Sequence, residues 1–139
     1  MTVAFLGLTA ELATAALAEN DKAPPAPVNR ASAEHYVWGE VNDGWHLLKD
    51  PSVSVIEERM SPGGEETPHK HEKARQFFYV LEGVLTMRRD GGEVALNPGD
   101  GVEVPPGLAH QAVNSSAEDV RFLVISTPPS HGDRINVTD

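Results

Sequence analysis

Two histidines that stand two residues apart, shortly before a run of apolar and aromatic residues, constrain the fold of this chain most strongly. His69 and His71 are separated by one lysine, and a short charged stretch joins them to the run at residues 76–81. In an extended strand, residues i and i+2 point to the same face, so both imidazoles can converge on one point. Two imidazoles with a further polar donor from a neighbouring strand are what a metal ion requires. The pattern therefore favours a metal site built on β-strands.

A second stretch, at residues 99–114, supplies a third histidine after a turn, a short strand and a Pro-Pro-Gly turn. The two stretches resemble the paired sequence motifs of the cupin superfamily. The positions that match the first motif are Gly63, His69, His71 and Gly83, and those that match the second are Gly99, Pro105, Gly107, His110 and Asn114. Two motifs matched at fixed spacing make this resemblance specific.

The resemblance implies a site for one divalent transition metal, held by His69, His71, Gln76 and His110. Gln76 stands where the family has a glutamate ligand, and some cupins bind metal through three histidines and one glutamine. Four neutral ligands leave both charges on the metal, which favours an anionic or enolisable oxygen ligand. An amide is a poor ligand unless its NH₂ group is anchored, so we expect a hydrogen-bond acceptor beside Gln76. Iron, manganese, nickel, zinc and cobalt all suit these donors.

The rest of the chain predicts an all-β fold. Many short apolar segments separated by Gly and Pro turns indicate a sandwich or barrel, and the resemblance implies an antiparallel jelly-roll barrel. The segments that we predict to be strands are residues 34–38, 44–48, 53–60, 76–81, 84–89, 93–96, 102–104, 110–113 and 120–126. A turn at residues 42–44 is expected to join the first two.

Outside residues 32–127, which we assign to the barrel, the chain has a different character. Residues 1–31 read as a short N-terminal helix followed by a Pro-rich linker, because apolar residues recur at helical spacing in residues 5–15. A secretory signal is the competing interpretation of residues 1–19, but no Lys or Arg precedes the apolar part. Residues 128–139 are expected to form an irregular tail.

The composition of the chain restricts the classes of molecule that it can bind. The formal net charge of −10 argues against nucleic acid and anionic membranes, since both select for Lys and Arg clusters. No apolar run approaches the length of a transmembrane helix, and the absence of cysteine excludes thiolate chemistry and disulfides. We expect a cytoplasmic protein whose partner is a small-molecule substrate.

A proton-transfer residue is needed by most reactions that such a site supports. The candidates are Glu57, Glu58, Tyr36, His35 and His46, with a solvated position at a strand edge as the alternative for each. Glu57 and Glu58 are adjacent, so the alternation of a strand sends them to opposite faces and cannot choose between them. The spacing of residues 76–81 also leaves no polar face, which predicts that something covers the outside of that strand. The second sheet, the N-terminal helix and a second subunit are all possible; cupins are commonly dimers, which favours a homodimer.

Three functions remain open at this point. The neutral ligand set favours a lyase, isomerase or cyclase that uses the metal as a Lewis acid on an oxygenated substrate. A metal-dependent dioxygenase that cleaves an enediol or a flavonol-like ring, in the manner of a quercetinase, is the first alternative. A non-catalytic, ligand-binding cupin is the second.

Overall fold

The computed structural model describes residues 23–137, and this part of the chain contains eleven β-strands and no α-helix. The strands are β1 (Glu34–Trp38), β2 (Asn42–Asp50), β3 (Val53–Met60), β4 (His69–His71), β5 (Arg75–Glu82), β6 (Leu85–Arg89), β7 (Gly92–Leu96), β8 (Gly101–Val104), β9 (His110–Val113), β10 (Val120–Thr127) and β11 (Arg134–Asn136). Among these residues, no helix has the length and apolar character that a bilayer crossing requires. The predicted N-terminal helix lies outside the described residues.

The strands form two antiparallel sheets that enclose one apolar core. The first sheet has six strands in the order β1-β2-β3-β10-β5-β8, and the second has five in the order β11-β4-β9-β6-β7. Alternate residues of β10 point inward, and Phe122 of this strand packs its ring against Phe78 of β5. Buried side chains from both sheets fill the space between them, among them Met60, Val80, Leu85, Met87 and Val120. The prediction of an all-β, antiparallel jelly-roll fold is confirmed.

The turn before β2 lies earlier than the sequence suggested. The chain reverses at Gly39 and Glu40, which both have positive φ, so residues 42–44 belong to β2 instead of the predicted turn. The side chain of Asn42 is buried and accepts a hydrogen bond from the backbone N–H of Ser61 at 3.0 Å. Gly44 lies under the ring of Tyr36, where any Cβ atom would collide with that ring. Asn and Gly are therefore used here for packing, although both are also common in turns.

The C-terminal segment is more ordered than the predicted irregular tail. Residues 134–136 form β11, which pairs antiparallel with β4 so that Arg134 lies opposite His71 and Asn136 opposite His69. The carboxylate of Asp133 accepts hydrogen bonds from the backbone N–H groups of residues 72–74 at 2.9–3.1 Å. Residues 133–136 are thus attached to the strand that carries two of the predicted ligands.

Candidate metal centre

Three histidines meet on neighbouring strands of the five-stranded sheet. His69 and His71 lie on the same face of β4, and His110 of β9 is the register partner of His69. All three side chains are buried, and one nitrogen from each lies within 4.8 Å of the others. This is the convergence that the His-x-His spacing predicted for an extended strand. His69, His71 and His110 can therefore form a metal site.

Backbone carbonyls set the orientation of each imidazole. Nδ1 of His69 lies 2.8 Å from the carbonyl oxygen of Thr67, and Nδ1 of His71 lies 2.8 Å from that of Asp133. Nδ1 of His110 lies 3.0 Å from the carbonyl oxygen of Leu108. A carbonyl only accepts hydrogen bonds, so each Nδ1 carries a proton, and in the neutral form of each ring Nε2 keeps the lone pair. Metal-ligating histidines are typically held in this way.

Burial also keeps two of these rings, those of His69 and His110, neutral. Removal from water lowers the pKa of His69 to about 3 and lowers the pKa of His110 below its ordinary value. A neutral imidazole is the form that binds a metal, so no proton has to be displaced from these two residues near neutral pH.

Gln76 lies on β5, in the facing sheet, and lines a cavity together with His69 and His71. Its side chain is buried, and its NH₂ group donates a hydrogen bond to the hydroxyl of Ser126 at 3.1 Å. Among the described residues, Gln76 Oε1 has no hydrogen-bond partner, and neither has Nε2 of His71 or His110. Buried polar atoms are rarely left without a partner. Three such atoms on the candidate ligands fit a bound divalent metal, and Ser126 is the amide anchor that the sequence did not identify.

A cavity of about 770 Å³ is lined by His69, His71 and Gln76. Its wall combines the apolar side chains of Ile56, Phe78 and Val124 with the titratable groups of Tyr36, Glu58 and Glu66. Pockets for small molecules have this composition and a volume of roughly 300–1,000 Å³. The cavity can therefore hold a small organic ligand next to the candidate metal position.

Glu58 is the glutamate of β3 that lines this cavity. The hydroxyl of Tyr36 donates a hydrogen bond to Glu58 Oε1 at 3.1 Å. Burial, reinforced by the nearby carboxylate of Glu66, raises the pKa of Glu58 to about 8. Burial beside Glu58 likewise raises the pKa of Tyr36. The pair can give a proton to a ligand in the cavity or take one from it near neutral pH.

The other proton-transfer candidates differ in whether they face the cavity. Glu57 points to the opposite face of β3, where its carboxylate pairs with Arg30 at 3.2 Å and Arg121 at 3.4 Å. His35 lies at the exposed surface and pairs with Asp43 at 2.7 Å. His46 lines the cavity, as Tyr36 does. Of the two adjacent glutamates, the structure thus brings Glu58 to the candidate site and turns Glu57 away from it.

Two acidic residues near the site were not identified from the sequence. Glu66 Oε2 lies 3.9 Å from His69 Nε2, its other oxygen accepts the backbone N–H of Ala112, and burial raises its pKa to about 7. Its place three residues before the first histidine was a usable signal. Asp133 holds His71 from a position 62 residues later in the chain, and nothing in the local sequence marks that contact.

The family described as Cupin domain matches residues 56–126, which is just over half of the chain. This match includes all four candidate metal ligands. The chain belongs to the cupin family.

Relatives of this cupin have varied descriptions. A quercetin 2,3-dioxygenase of Bacillus subtilis is 39% identical over 61 residues, which cover 44% of this chain and 18% of the relative. The match to the solved structure of the polyketide cyclase RemF from Streptomyces resistomycificus covers 84% of this chain and 87% of that chain, with a TM-score of 0.73 and 23% identity. KdgF from Halomonas sp. covers 76% and 96%, with a TM-score of 0.70 and 21% identity. At these identities the two structures support the fold alone.

The matched part is also short compared with the curated relatives. This cupin spans between 18% and 55% of the length of the curated proteins that it matches. The activities of those longer proteins therefore enter only as proposals.

Proposed function

We propose that this cupin is a metal-dependent enzyme that acts on a small oxygenated molecule without net oxidation, as a lyase, isomerase or cyclase. The observation that carries the proposal is the set of four buried, neutral donors beside a cavity whose wall contains Glu58. Three imidazoles and one amide oxygen leave both charges on a divalent metal, which makes it a strong Lewis acid. A carboxyl group with a pKa of about 8 lies in the wall of the same cavity.

Different residues of the chain would bind the metal, transfer the proton and exclude water. His69, His71, His110 and Gln76 would hold the metal, which when bound polarises a substrate carbonyl and stabilises a developing enolate. Glu58 exchanges a proton with the substrate, while the Tyr36 hydroxyl keeps one carboxyl oxygen in a fixed position. Phe78 and Val124 exclude water from one side of the cavity, which strengthens hydrogen bonds to the substrate.

A dioxygenase is the second candidate, and two observations favour it. The match to the Bacillus subtilis quercetin 2,3-dioxygenase, at 39% identity, is carried by a segment of 61 residues. The cavity of about 770 Å³ is also large enough for a ligand of several rings. Anionic ligands favour oxidised metal states, however, and the four candidate ligands are all neutral, which places this reaction second.

The deciding experiment measures the metal and oxygen use on one preparation. The protein is purified without chelator or nickel resin and examined by elemental analysis, and oxygen uptake is followed with flavonols and enediols. We expect a stoichiometric divalent metal and turnover of an oxygenated substrate without oxygen uptake. Stoichiometric iron with oxygen uptake would instead establish the dioxygenase. No metal, even after reconstitution, would leave a non-catalytic ligand-binding cupin.

Adjacent glutamates on β3 provide a matched test of the proton-transfer step. Glu58→Gln keeps the hydrogen bond from Tyr36 but cannot exchange a proton, so we expect kcat to fall about 10²- to 10⁴-fold. Glu57→Gln makes the same change on the opposite face of the strand and should retain kcat. Equal activities of the two variants would remove Glu58 from the mechanism.

We also propose that the chain forms a homodimer through the outer face of the six-stranded sheet. Phe77 and Tyr79 of β5 are 41% and 38% exposed there, next to Leu123 and Ile125 of β10. The second sheet packs on the opposite side of β5, so it does not cover them. Ion pairs at the edge of this patch, Arg75–Glu103 and Arg121–Glu82, present both signs of charge. A two-fold pair brings the same patch of each copy together, and a border with both signs complements itself.

A further inference from the structure

His46 carries a buried polar atom that the metal site does not explain. Four side chains of the described residues have a buried nitrogen or oxygen without a hydrogen-bond partner, and three of them belong to the candidate ligands. The fourth is Nδ1 of His46, a residue that also lines the cavity. Buried polar atoms are normally paired, so Nδ1 of His46 is suited to a hydrogen bond with a ligand in the cavity.

His46 lies at a distance from the metal-binding residues. It belongs to β2 of the six-stranded sheet, where it is the register partner of Ile56, whereas the three histidines lie on the other sheet. Strands β3 and β10 separate β2 from β5, which carries Gln76. At about 4.8 Å for each strand, the backbones of β2 and β5 are roughly 14 Å apart. A ligand that contacts both the metal end and His46 must therefore be longer than an acid of two or three carbons.

The ring of His46 lies beside an ion pair and a phenol ring. Burial, together with the positive charge of Lys49, lowers the pKa of His46, while Glu34 acts in the opposite direction and His131 in the same one. Lys49 is itself paired with Glu34 at 2.8 Å. The ring of His46 packs on that of Tyr36 with centroids 5.0 Å apart. A neutral imidazole beside a phenol hydrogen-bonds a hydroxyl or carbonyl oxygen and offers no countercharge to a carboxylate.

Besides the titratable groups of Tyr36, Glu58 and Glu66, the cavity wall has an apolar part. Ile56, Phe78 and Val124 line it, and Phe78 and Val124 are also buried members of the core. Flat, apolar rings fit such a wall, and a chain of hydrated charges does not.

We propose that His46 is a specificity-determining residue of this site, which hydrogen-bonds a hydroxyl or carbonyl oxygen of an uncharged, ring-containing substrate at the end remote from the histidine cluster. The inference rests on the proposed function for its metal end. It applies equally to the redox-neutral reaction and to the dioxygenase, because it concerns recognition and not the chemical step.

Two flavonols test the proposal by binding. Quercetin and 3-hydroxyflavone share the keto-enol end, and only quercetin carries hydroxyl groups on its remote rings. Dissociation constants are measured by absorbance titration with the metal-bearing protein. We expect the wild type to bind quercetin more tightly, and His46→Phe, which keeps the ring stacking but loses both nitrogens, to reduce this preference about three- to tenfold. Binding of 3-hydroxyflavone should change little.

Two further variants separate recognition from structure. His46→Gln restores a hydrogen-bonding group and should recover part of the preference for quercetin. His35→Phe removes an exposed histidine from the neighbouring strand and should retain the full preference. An unchanged preference in His46→Phe would overturn the proposal, as would binding of oxalate with no binding of either flavonol, or binding of none of the three.

Turnover, measured on the same metal-bearing samples, distinguishes this result from a failure of the proposed function. A preference that depends on His46 in a protein without turnover would contradict the enzyme but support the recognition site. Turnover with a flavonol preference that does not depend on His46 would support the enzyme but contradict the recognition site.

Discussion

At the scale of single residues, Gln76 determines the charge of the candidate centre. Its amide oxygen can serve as a ligand only if the amide group has a fixed orientation, and the hydrogen bond to Ser126 supplies this at 3.1 Å. Ser126→Ala removes the acceptor and leaves every candidate ligand in place. We expect metal affinity to fall by about 10- to 100-fold, the range typical for the loss of a group that orients a ligand. Competition with a chromophoric chelator measures it.

Ser54→Ala is the matched control for this change. Ser54 is buried and lines the same cavity as Ser126's partner, Gln76. If both serine variants lose the same metal affinity, the loss reflects the polarity of the cavity and not the orientation of Gln76.

Glu58 gives the protein a pH-dependent stability that can be measured without a substrate. Its pKa rises from 4.5 to about 8 on folding, because burial disfavours the charged form. The folded chain then binds this proton more tightly than the unfolded chain, so the contribution of Glu58 to stability falls as pH rises from about 4.5 to about 8. Glu58→Gln cannot ionise. In the chelator-treated protein we expect the variant to melt a few degrees above the wild type at pH 9 and close to it at pH 5.

Glu57→Gln is the control for the melting temperature of Glu58→Gln. Glu57 is held by Arg30 and Arg121 on the other face of β3, so Glu57→Gln should show no gain in melting temperature at pH 9. A gain of the same size in both variants would point to the net charge of the molecule as the cause.

At the scale of the elements, Asp133 joins the C-terminal strand to the candidate centre. Its backbone oxygen accepts the Nδ1 proton of His71, and hydrogen bonds from the backbone N–H groups of Ala74 and Lys73 lower the pKa of its carboxyl. Asp133→Ala keeps the backbone oxygen but removes the attachment of the loop. We expect faster amide hydrogen exchange in β11 and a metal affinity about tenfold weaker, because His71 becomes less well oriented.

Asp100→Ala is a suitable control for that variant. Its carboxylate also caps a turn, accepting the backbone N–H of Asn97 at 2.9 Å, but it lies away from the cavity. Exchange in β11 that is no faster in Asp133→Ala than in Asp100→Ala would show that β11 is held by its pairing with β4 alone.

Local patterns were sufficient for most strands. The bounds predicted for residues 34–38, 53–60 and 110–113 agree with β1, β3 and β9, because a Gly or Pro turn signal lies close to at least one end of each segment. The start of β2 was wrong, since the glycine there makes room for Tyr36 and does not form a turn. The tail was wrong because β11 has three exposed residues and no alternation, and it exists only through its pairing with β4.

The residues of the site likewise fall into two groups: those that the local sequence identifies and those that only the folded structure reveals. His69 and His71 follow from a short spacing in the first family motif and His110 from the second motif, and the structure brings them together. The choice between Glu57 and Glu58 required the register of β3, which places Glu58 toward the cavity. The partner of Gln76 lies 50 residues away in the chain, so only the pairing of β5 with β10 reveals it.

At the scale of the whole molecule, the outer face of the six-stranded sheet is the surface where the proposed dimer can be tested. Phe77 packs over Gly101 but keeps 41% of its surface exposed, and Tyr79 keeps 38%. Adjacent exposed aromatic side chains of this kind often mark an interaction site. A charge placed in the middle of a two-fold interface meets its own copy, so a single substitution introduces two like charges.

Tyr79→Glu is therefore expected to convert the dimer to a monomer while the barrel, the metal content and the circular dichroism spectrum stay unchanged. Light scattering coupled to size exclusion gives the mass directly, at several protein concentrations. Val94→Glu is the control, because Val94 is 36% exposed on β7 of the other sheet. This variant should leave the dimer intact.

The same measurement on a chain that lacks residues 1–22 tests whether the N-terminal segment covers this face. A wild type that is monomeric at all concentrations, with Phe77 and Tyr79 exposed to solvent only after this deletion, would assign the face to the N-terminal segment and not to a second copy.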